Sequence, residues 1–252
     1  MEKISVVIIC YNEEKNIGRC IGSVKDVADE ILILDSNSTD QTVSIAESMG
    51  AIVKQVVFTG FIQKKNTGVE LASYDYILSL DADEMLDPLL NDSIRKIKEK
   101  FNSQAYRMNR CSNYCGKFIR HGSWYPDAKI RLFDRRIARW GGTNPHDKIV
   151  LANDIQVEHL KGDILHYSYH TISEHVIQNN KLSTLAAESL FAKGKRTSLF
   201  KIVFNPWWAF FQSYLIRAGF LDGLFGLVIS IQISHQTFLK HLKLYLLGKS
   251  AK

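Results

Sequence analysis

The chain has 252 residues, 46% of them hydrophobic, and a formal net charge of +6 at pH 7. This is enough apolar material for one substantial core, so the composition excludes a scaffold that depends on disulfides. Cys10, Cys20, Cys111 and Cys115 match neither a disulfide framework nor a zinc pattern, and we expect reduced cytoplasmic thiols. The N-terminus enters a strand at once, so we expect no secretory signal.

Short apolar stretches alternate with helical patterns along the first hundred residues. The predicted strands are residues 5–10, 30–34, 51–57 and 76–80. Helices are expected from about residue 15 to 27, and from a cap at Ser38 or Thr39 to about Gly50. The alternation predicts an α/β fold with a mostly parallel sheet flanked by helices, which binds ligands beyond the carboxyl ends of its strands.

Charged side chains follow these predicted strands and should share one edge of the sheet. They are Glu13, Asp35, Lys65, Asp81 and Asp83. The last two end an apolar strand, and paired carboxylates there suit Mg²⁺ or Mn²⁺ holding a diphosphate. An isolated Asp-x-Asp is also common in turns and helix caps, so it is the strand context that favours a metal site.

Several segments resemble family 2 glycosyltransferases of the GT-A (Rossmann-like) fold. The general resemblance lies in residues 11–14, 35–40 and 80–84. Further segments resemble the branch that includes bacterial lipopolysaccharide core β-1,4-glucosyltransferases, namely residues 126–133, 140–142, 145–148, 166–169 and 219–223. The similarity covers nearly the whole chain.

The resemblance implies a nucleotide site after the first two strands. Glu13 and Asp35, with Tyr11 and Asn12 in the same segments, would receive the base and ribose of a UDP-sugar, and Lys65 would reach the nucleotide or its phosphates. The alternatives are helix capping for Glu13 and Asp35, and a solvated basic turn for Lys65.

It also implies a metal site and a catalytic base. Asp83 is the preferred ligand of Mg²⁺ or Mn²⁺, Asp81 is shared between metal and ribose, and His166 completes the site unless it is a structural histidine.

Asp147 occupies the position at which the family has an acidic residue, usually Glu, after a histidine. That residue takes the proton of the acceptor hydroxyl while the oxygen attacks the anomeric carbon, and a single displacement inverts the configuration. Asp shortens the reach by one methylene. The alternative is a loop aspartate paired to Lys148 or Arg131.

The basic excess lies at the C-terminus. Residues 193–252 contain nine Lys or Arg and one acidic residue, a net charge of +8, which leaves −2 for residues 1–192. The segment is rich in Trp and Phe, but no run reaches the roughly 18–20 apolar residues of a spanning helix. We expect amphipathic helices on an anionic membrane surface, or else packed on the catalytic domain or in a dimer contact. No nucleic-acid motif accompanies the charge.

We therefore predict a GT-A catalytic domain at 1–192, with a nucleotide-sugar half at 1–100 and an acceptor half at 101–170, followed by a membrane-associating helical tail at 193–252. The predicted activity is inverting transfer of a hexose, with glucose as first candidate, from a UDP-sugar to a lipid-anchored saccharide such as the lipopolysaccharide inner core. The reaction would take place at the inner face of the cytoplasmic membrane.

Two alternatives stay open: transfer to a polyprenyl phosphate, which needs no base, and an inactive membrane-bound module that binds nucleotide-sugar. The sequence does not determine the donor, the acceptor hydroxyl, the choice between Mg²⁺ and Mn²⁺, or the oligomeric state.

Overall fold

A computed structural model describes residues 2–143, 146–152 and 155–250, so Pro145 of the 145–148 segment lies outside the described residues. The chain forms two compact units. Unit 1 comprises the residues up to Arg110 together with Asp127–His166, and unit 2 comprises Cys111–Pro126 together with the residues from Tyr167 onwards. The predicted boundary after residue 192 falls within unit 2, and the division into catalytic domain and tail stays a prediction.

Unit 1 begins with the predicted alternation of strands and helices. The elements are β1 (Ile4–Cys10), α1 (Ile17–Val24), β2 (Glu30–Asp35), α2 (Thr42–Ser48), β3 (Ile52–Gln55), α3 (Phe61–Leu71) and β4 (Tyr76–Asp81). β1 pairs in parallel with β2 and β4, and β2 pairs in parallel with β3. The register sets Cys10 opposite Asp35 and Ile9 opposite Asp81, so the carboxyl ends of three strands share one edge.

The second half of the sheet is antiparallel. The remaining elements up to residue 169 are β5 (Glu84–Leu86), α4 (Pro88–Glu99), β6 (Ala105–Tyr114), β7 (Lys117–Phe118), β8 (Asp127–Asp134), β9 (Ala138–Thr143), β10 (His146–Leu151) and β11 (Val157–Tyr169). The strand order is β3-β2-β1-β4-β8-β6-β11-β5, while β9 and β10 form a separate antiparallel ribbon. This sheet with its flanking helices confirms the predicted α/β class.

The core of unit 1 lies on both faces of the sheet. β1 is buried at every position, with Val6 and Ile8 in one apolar cluster and Val7 and Ile9 in another. A strand covered on both faces needs apolar side chains throughout, which is why β1 is a continuous apolar run without alternation.

Unit 2 is mainly helical and contains the predicted C-terminal helical appendage. Its helices are α5 (Ile172–Ala192), α6 (Leu199–Phe211) and α7 (Leu224–Ser250), and α7 packs against both others. Thr171 and Glu174 form a capping box at the start of α5. Among the helices that the structure describes, none is both long and apolar enough to cross a membrane. No disulfide joins the four cysteines.

Gly68 tests how tightly α3 packs on the sheet. A Cβ there would lie 2.4 Å from Cγ1 of Val7 and 3.0 Å from Cδ2 of Leu34, whereas a Cβ on Gly22, in α1, would have nothing within 4 Å. We expect Gly68→Ala to lower the free energy of unfolding by about 1–3 kcal/mol through overpacking. Gly22→Ala should raise it by about 0.5–1 kcal/mol, because Ala favours helix. Urea denaturation measures both, and equal effects would contradict the close packing.

His175 should make the free energy of unfolding depend on pH. The side chain is 2% exposed, its Nδ1 lies 3.1 Å from the hydroxyl of Tyr114, and burial lowers its pKa to about 4. An unfolded histidine has a pKa of about 6.5, so the unfolded chain binds this proton first on acidification. The free energy of unfolding should therefore fall by about 2 kcal/mol from pH 7 to pH 5 through this group.

Urea midpoints at the two pH values, measured for the wild type and for His175→Gln, test this expectation. His235→Gln, at an exposed position of α7, is the matched control. An equal pH dependence in wild type and His175→Gln would show that His175 is not the cause.

Candidate active site

The loops after β1 and β2 are fixed to each other by hydrogen bonds. Buried Asp35 accepts the backbone N–H of Ser38 at 2.9 Å, and Oγ of Ser38 accepts the backbone N–H of Asn12 at 2.8 Å. Oδ1 of Asn12 accepts the N–H of Thr39 at 2.8 Å. Ser38 and Thr39 therefore do not cap α2, which begins at Thr42, because both residues serve this loop pair. Asp35, a predicted ligand of the nucleoside, therefore lies in a loop that is already ordered.

Glu13 and Tyr11 flank the same loops. The backbone N–H of Glu13 donates to Oγ1 of Thr42 at 2.7 Å, and its Oε2 accepts Nδ2 of Asn16 at 2.7 Å. Tyr11 is 58% exposed, so its ring can reach a ligand. The contacts of Glu13 join the starts of α1 and α2, and its predicted contact with the nucleotide stays a prediction.

Both lysines of α3 are buried, so the alternative of a solvated basic turn is wrong. Nζ of Lys64 donates to the carbonyl of Cys10 at 2.7 Å and to Oγ of Ser36 at 2.6 Å. Nζ of Lys65 lies 3.1 Å from Oδ1 of Asp81 and 2.9 Å from Oδ2 of Asp147. Lys64 supports the ends of β1 and β2, while Lys65 links the two acidic positions.

A buried ion-pair network surrounds Asp81. Glu84 is 1% exposed, accepts Nη2 of Arg131 at 2.7 Å and accepts the backbone N–H of Asp81 at 3.0 Å. Nη2 of Arg131 also lies 3.4 Å from Oδ2 of Asp81. Burial by itself raises the pKa of Asp81, but the cations Lys65 and Arg131 outweigh it and hold that pKa well below its usual range. Asp81 is therefore ionised at neutral pH.

Trp140 joins this network to the ribbon that carries Asp147. Its buried ring lies 4.2 Å from Nζ of Lys65 and 5.4 Å from Cζ of Arg131, distances at which cations are attracted to an aromatic face. The side-chain amide of Asn66 donates to the backbone carbonyl of Trp140 and accepts the backbone N–H of the same residue, each at 3.0 Å. These contacts fix α3 to β9.

Asp147 lies in β10, opposite Gly142 of β9. Its ion-pair partner is Lys65, 82 positions earlier in the chain, and not the Lys148 or Arg131 of the alternative interpretation. The structure thus brings the predicted base and the predicted donor carboxylate Asp81 to the same ammonium group.

Of the predicted metal ligands, Asp83 and His166 lie together, and the part of the chain that is described has no cluster of three or more His, Cys, Asp or Glu able to hold a metal. Nε2 of His166 is 3.1 Å from Oδ2 of Asp83. Oδ1 of Asp81 is buried and receives no hydrogen bond of good geometry, despite the nearby Lys65. Carboxylates and an imidazole are ligand types that suit Mn²⁺ or Mg²⁺, and a metal site at Asp81, Asp83 and His166 stays a prediction.

The sequence did not single out Glu84, Arg131, Trp140 or Asn66 as site residues. Glu84 directly follows the acidic pair, and Arg131 is a charged residue among apolar neighbours in β8. Such a cation inside a strand pattern signals a buried ion pair, but the sequence does not name its partner.

Comparisons with known proteins show the family of the chain. Residues 5–152 match the family model "Glycosyl transferase family 2". An uncharacterized glycosyltransferase of Rickettsia typhi is 34% identical over 97% of this chain and 87% of its own length. The lipopolysaccharide core biosynthesis glycosyltransferase LpsC of Rhizobium meliloti is 28% identical over 96% of this chain and 92% of its own.

Among solved structures, glucosyl-3-phosphoglycerate synthase of Mycobacterium tuberculosis, in complex with Mn²⁺, UDP and glucosyl-3-phosphoglycerate, is 26% identical. The alignment covers 44% of each chain with a TM-score of 0.37. This likeness is too low to establish the fold or a ligand of the present chain. The family model covers more than half of the chain, and the Rickettsia relative aligns along almost all of it. This chain is therefore a glycosyltransferase and belongs to glycosyl transferase family 2, as the sequence motifs predicted.

Proposed function

We propose that this glycosyltransferase moves a hexose, with glucose as first candidate, from a UDP-sugar to a lipid-anchored saccharide such as the lipopolysaccharide inner core, with inversion. The observation that carries the proposal is the position of Lys65 between Asp81 and Asp147, at 3.1 and 2.9 Å. This position supports a donor-side carboxylate and a candidate base that would act at one reacting centre. The 28% identity to LpsC supports the acceptor class.

The donor would bind at the carboxyl edge of the parallel strands. Tyr11, Asn12, Glu13 and Asp35 would receive the nucleoside, since their loops are already tied together. Asp81, Asp83 and His166 would hold Mg²⁺ or Mn²⁺, which neutralises negative charge on the departing diphosphate. Lys65 would supply a further positive charge beside the phosphates.

Asp147 would act on the acceptor. The ion pair with Lys65 uses Oδ2 of Asp147, so Oδ1 would receive the proton of the acceptor hydroxyl. The freed oxygen attacks the anomeric carbon as the bond to UDP breaks, and the bonding electrons leave with the diphosphate. One displacement inverts the configuration without a covalent enzyme intermediate.

A lipid-anchored acceptor places the reaction at a membrane surface. The net charge of +8 in residues 193–252 supports attraction to the anionic inner face of the cytoplasmic membrane. The tail would then hold the enzyme at the membrane that carries the acceptor.

Asp147→Asn tests the proposed base. The variant keeps the shape of the side chain but cannot accept the proton, so transfer should fall by about 10²–10⁴-fold while UDP binding is retained. Radiolabelled UDP-glucose with Mn²⁺ is offered in parallel to heptose-terminated core and to polyprenyl phosphate. Asp92→Asn, on the exposed surface of α4, is the control and should transfer normally.

The three outcomes separate the hypotheses. Label in the core fraction that depends on Asp147 supports the proposal. Label in the polyprenyl fraction, unaffected by Asp147→Asn, would move the enzyme to the alternative acceptor. No label from any nucleotide-sugar, with UDP still bound, would favour an inactive binding module.

Asp83→Ala tests the metal site without catalysis. If Asp83 is a ligand, calorimetry should show UDP affinity in Mn²⁺ at least about tenfold below wild type, and close to the affinity in EDTA. Asp127→Ala, a carboxylate paired with Arg110, is the control for loss of a charge in the same unit. Unchanged metal-dependent affinity in Asp83→Ala would remove Asp83 from the metal site.

A further inference from the structure

The outward face of α6 is apolar. Large side chains crowd this face with 43–74% of their surface exposed: Leu199, Phe200, Val203, Phe204, Trp207 and Trp208. The rings stack along the helix, with Phe200 5.3 Å from Phe204 and Trp207 5.6 Å from Phe211. Ile202 and Pro206 are buried on the other side. A surface helix normally turns polar residues outward, so a continuous aromatic face indicates contact with something other than water.

The apolar surface continues into the turn that follows α6. Leu215, Ile216, Phe220 and Leu221 are 47–58% exposed. They lie in the π-helical turn at 212–216 and the 3₁₀ turn at 219–222, which lead into α7. The exposed face therefore extends from residue 199 to residue 221.

The charged residues of this segment all have one sign. The exposed cations of the segment are Lys193, Lys195, Arg196, Lys201 and Arg217, and residues 189–221 contain no Asp or Glu. The next acidic residue, Asp222, is 4% exposed and accepts the backbone N–H groups of Arg120 and His121. Its carboxylate is buried inside unit 2 and holds these N–H groups, so it does not neutralise the exposed cations that form the rim of the face.

α7 differs from α6. It packs against α5 and α6, and its exposed large apolar residues Leu224, Ile231, Phe238 and Leu246 are spaced seven or eight positions apart. Isolated apolar residues of this kind are normal on protein surfaces.

We propose that the face formed by residues 199–221 lies in the headgroup region of an anionic bilayer, and that α7 supports it from behind without contacting lipid. Trp and Phe with a purely cationic rim match a surface that is apolar below and negative above. The inference rests on the membrane location proposed for the whole tail, and it assigns that contact to one helix and its following turn.

The test uses full-length Trp207→Glu, with Leu246→Glu as the matched control, since these side chains are 58% and 52% exposed and each variant gains the same charge. Cosedimentation is measured with phosphatidylcholine vesicles containing about 30% phosphatidylglycerol, and with phosphatidylcholine alone. We expect the wild type to bind the anionic vesicles, Trp207→Glu to bind at least about tenfold more weakly, and Leu246→Glu to bind as the wild type. Thermal melting and UDP binding check that both variants are folded.

Tryptophan fluorescence provides an independent measurement. The chain has four tryptophans, and Trp207 and Trp208 lie on the proposed face while Trp140 is buried. Anionic vesicles should shift the emission to shorter wavelength, and brominated lipid should quench it. Replacing both Trp207 and Trp208 by Phe should abolish the shift.

Several results would overturn the inference. Equal loss of binding in Leu246→Glu would place the contact elsewhere on the tail, and equal binding to neutral vesicles would remove the role of the cations. A concentration-dependent dimer that Trp207→Glu dissociates, with no vesicle binding by the wild type, would make the face an interface between two copies. One further result separates the two proposals. Vesicle binding as expected, without sugar transfer to any acceptor, would contradict the proposed function and support this inference.

Discussion

A single buried ammonium group holds the candidate site together. Nζ of Lys65 lies 3.1 Å from a carboxylate oxygen of Asp81 and 2.9 Å from one of Asp147, and these residues come from β4 and β10. Removing one member of a buried ion pair leaves an uncompensated charge, which typically costs about 3–5 kcal/mol. The packing of unit 1 must therefore hold α3 where Lys65 reaches both carboxylates.

Two contacts meet this requirement. Gly68 lets α3 approach the sheet so closely that a Cβ would lie 2.4 Å from Val7, and Asn66 bonds both backbone groups of Trp140. The first contact fixes the depth of the helix over β1, and the second fixes its position along β9. Together they hold Lys65 between the sheet edge and the ribbon that carries Asp147.

Cations compensate the acidic residues at the edge of the sheet. Lys65 and Arg131 lie beside Asp81, so its carboxylate stays ionised although burial opposes the charge. Buried ion pairs often stabilise a protein less than apolar residues of similar volume would. Such a loss of stability is typical of functional sites. Unit 2 shows the opposite pattern, because its exposed α6 face is apolar and cationic.

The sequence determined the class of fold, the family and the edge at which the site lies. Strand and helix periods are local, and parallel strands end at a common edge, so Asp35 and the Asp81–Asp83 pair could be placed together in advance. Only the tertiary structure decided the partners. The sequence offered Lys148 or Arg131 for Asp147, while the observed partner is Lys65, 82 positions away. It also described the whole tail as one apolar and basic segment, whereas packing against α5 and α6 leaves most of α7 half-buried and the apolar face of α6 exposed. Contacts between distant side chains depend on how helices pack on sheets and on each other, and local patterns in the sequence do not record that geometry.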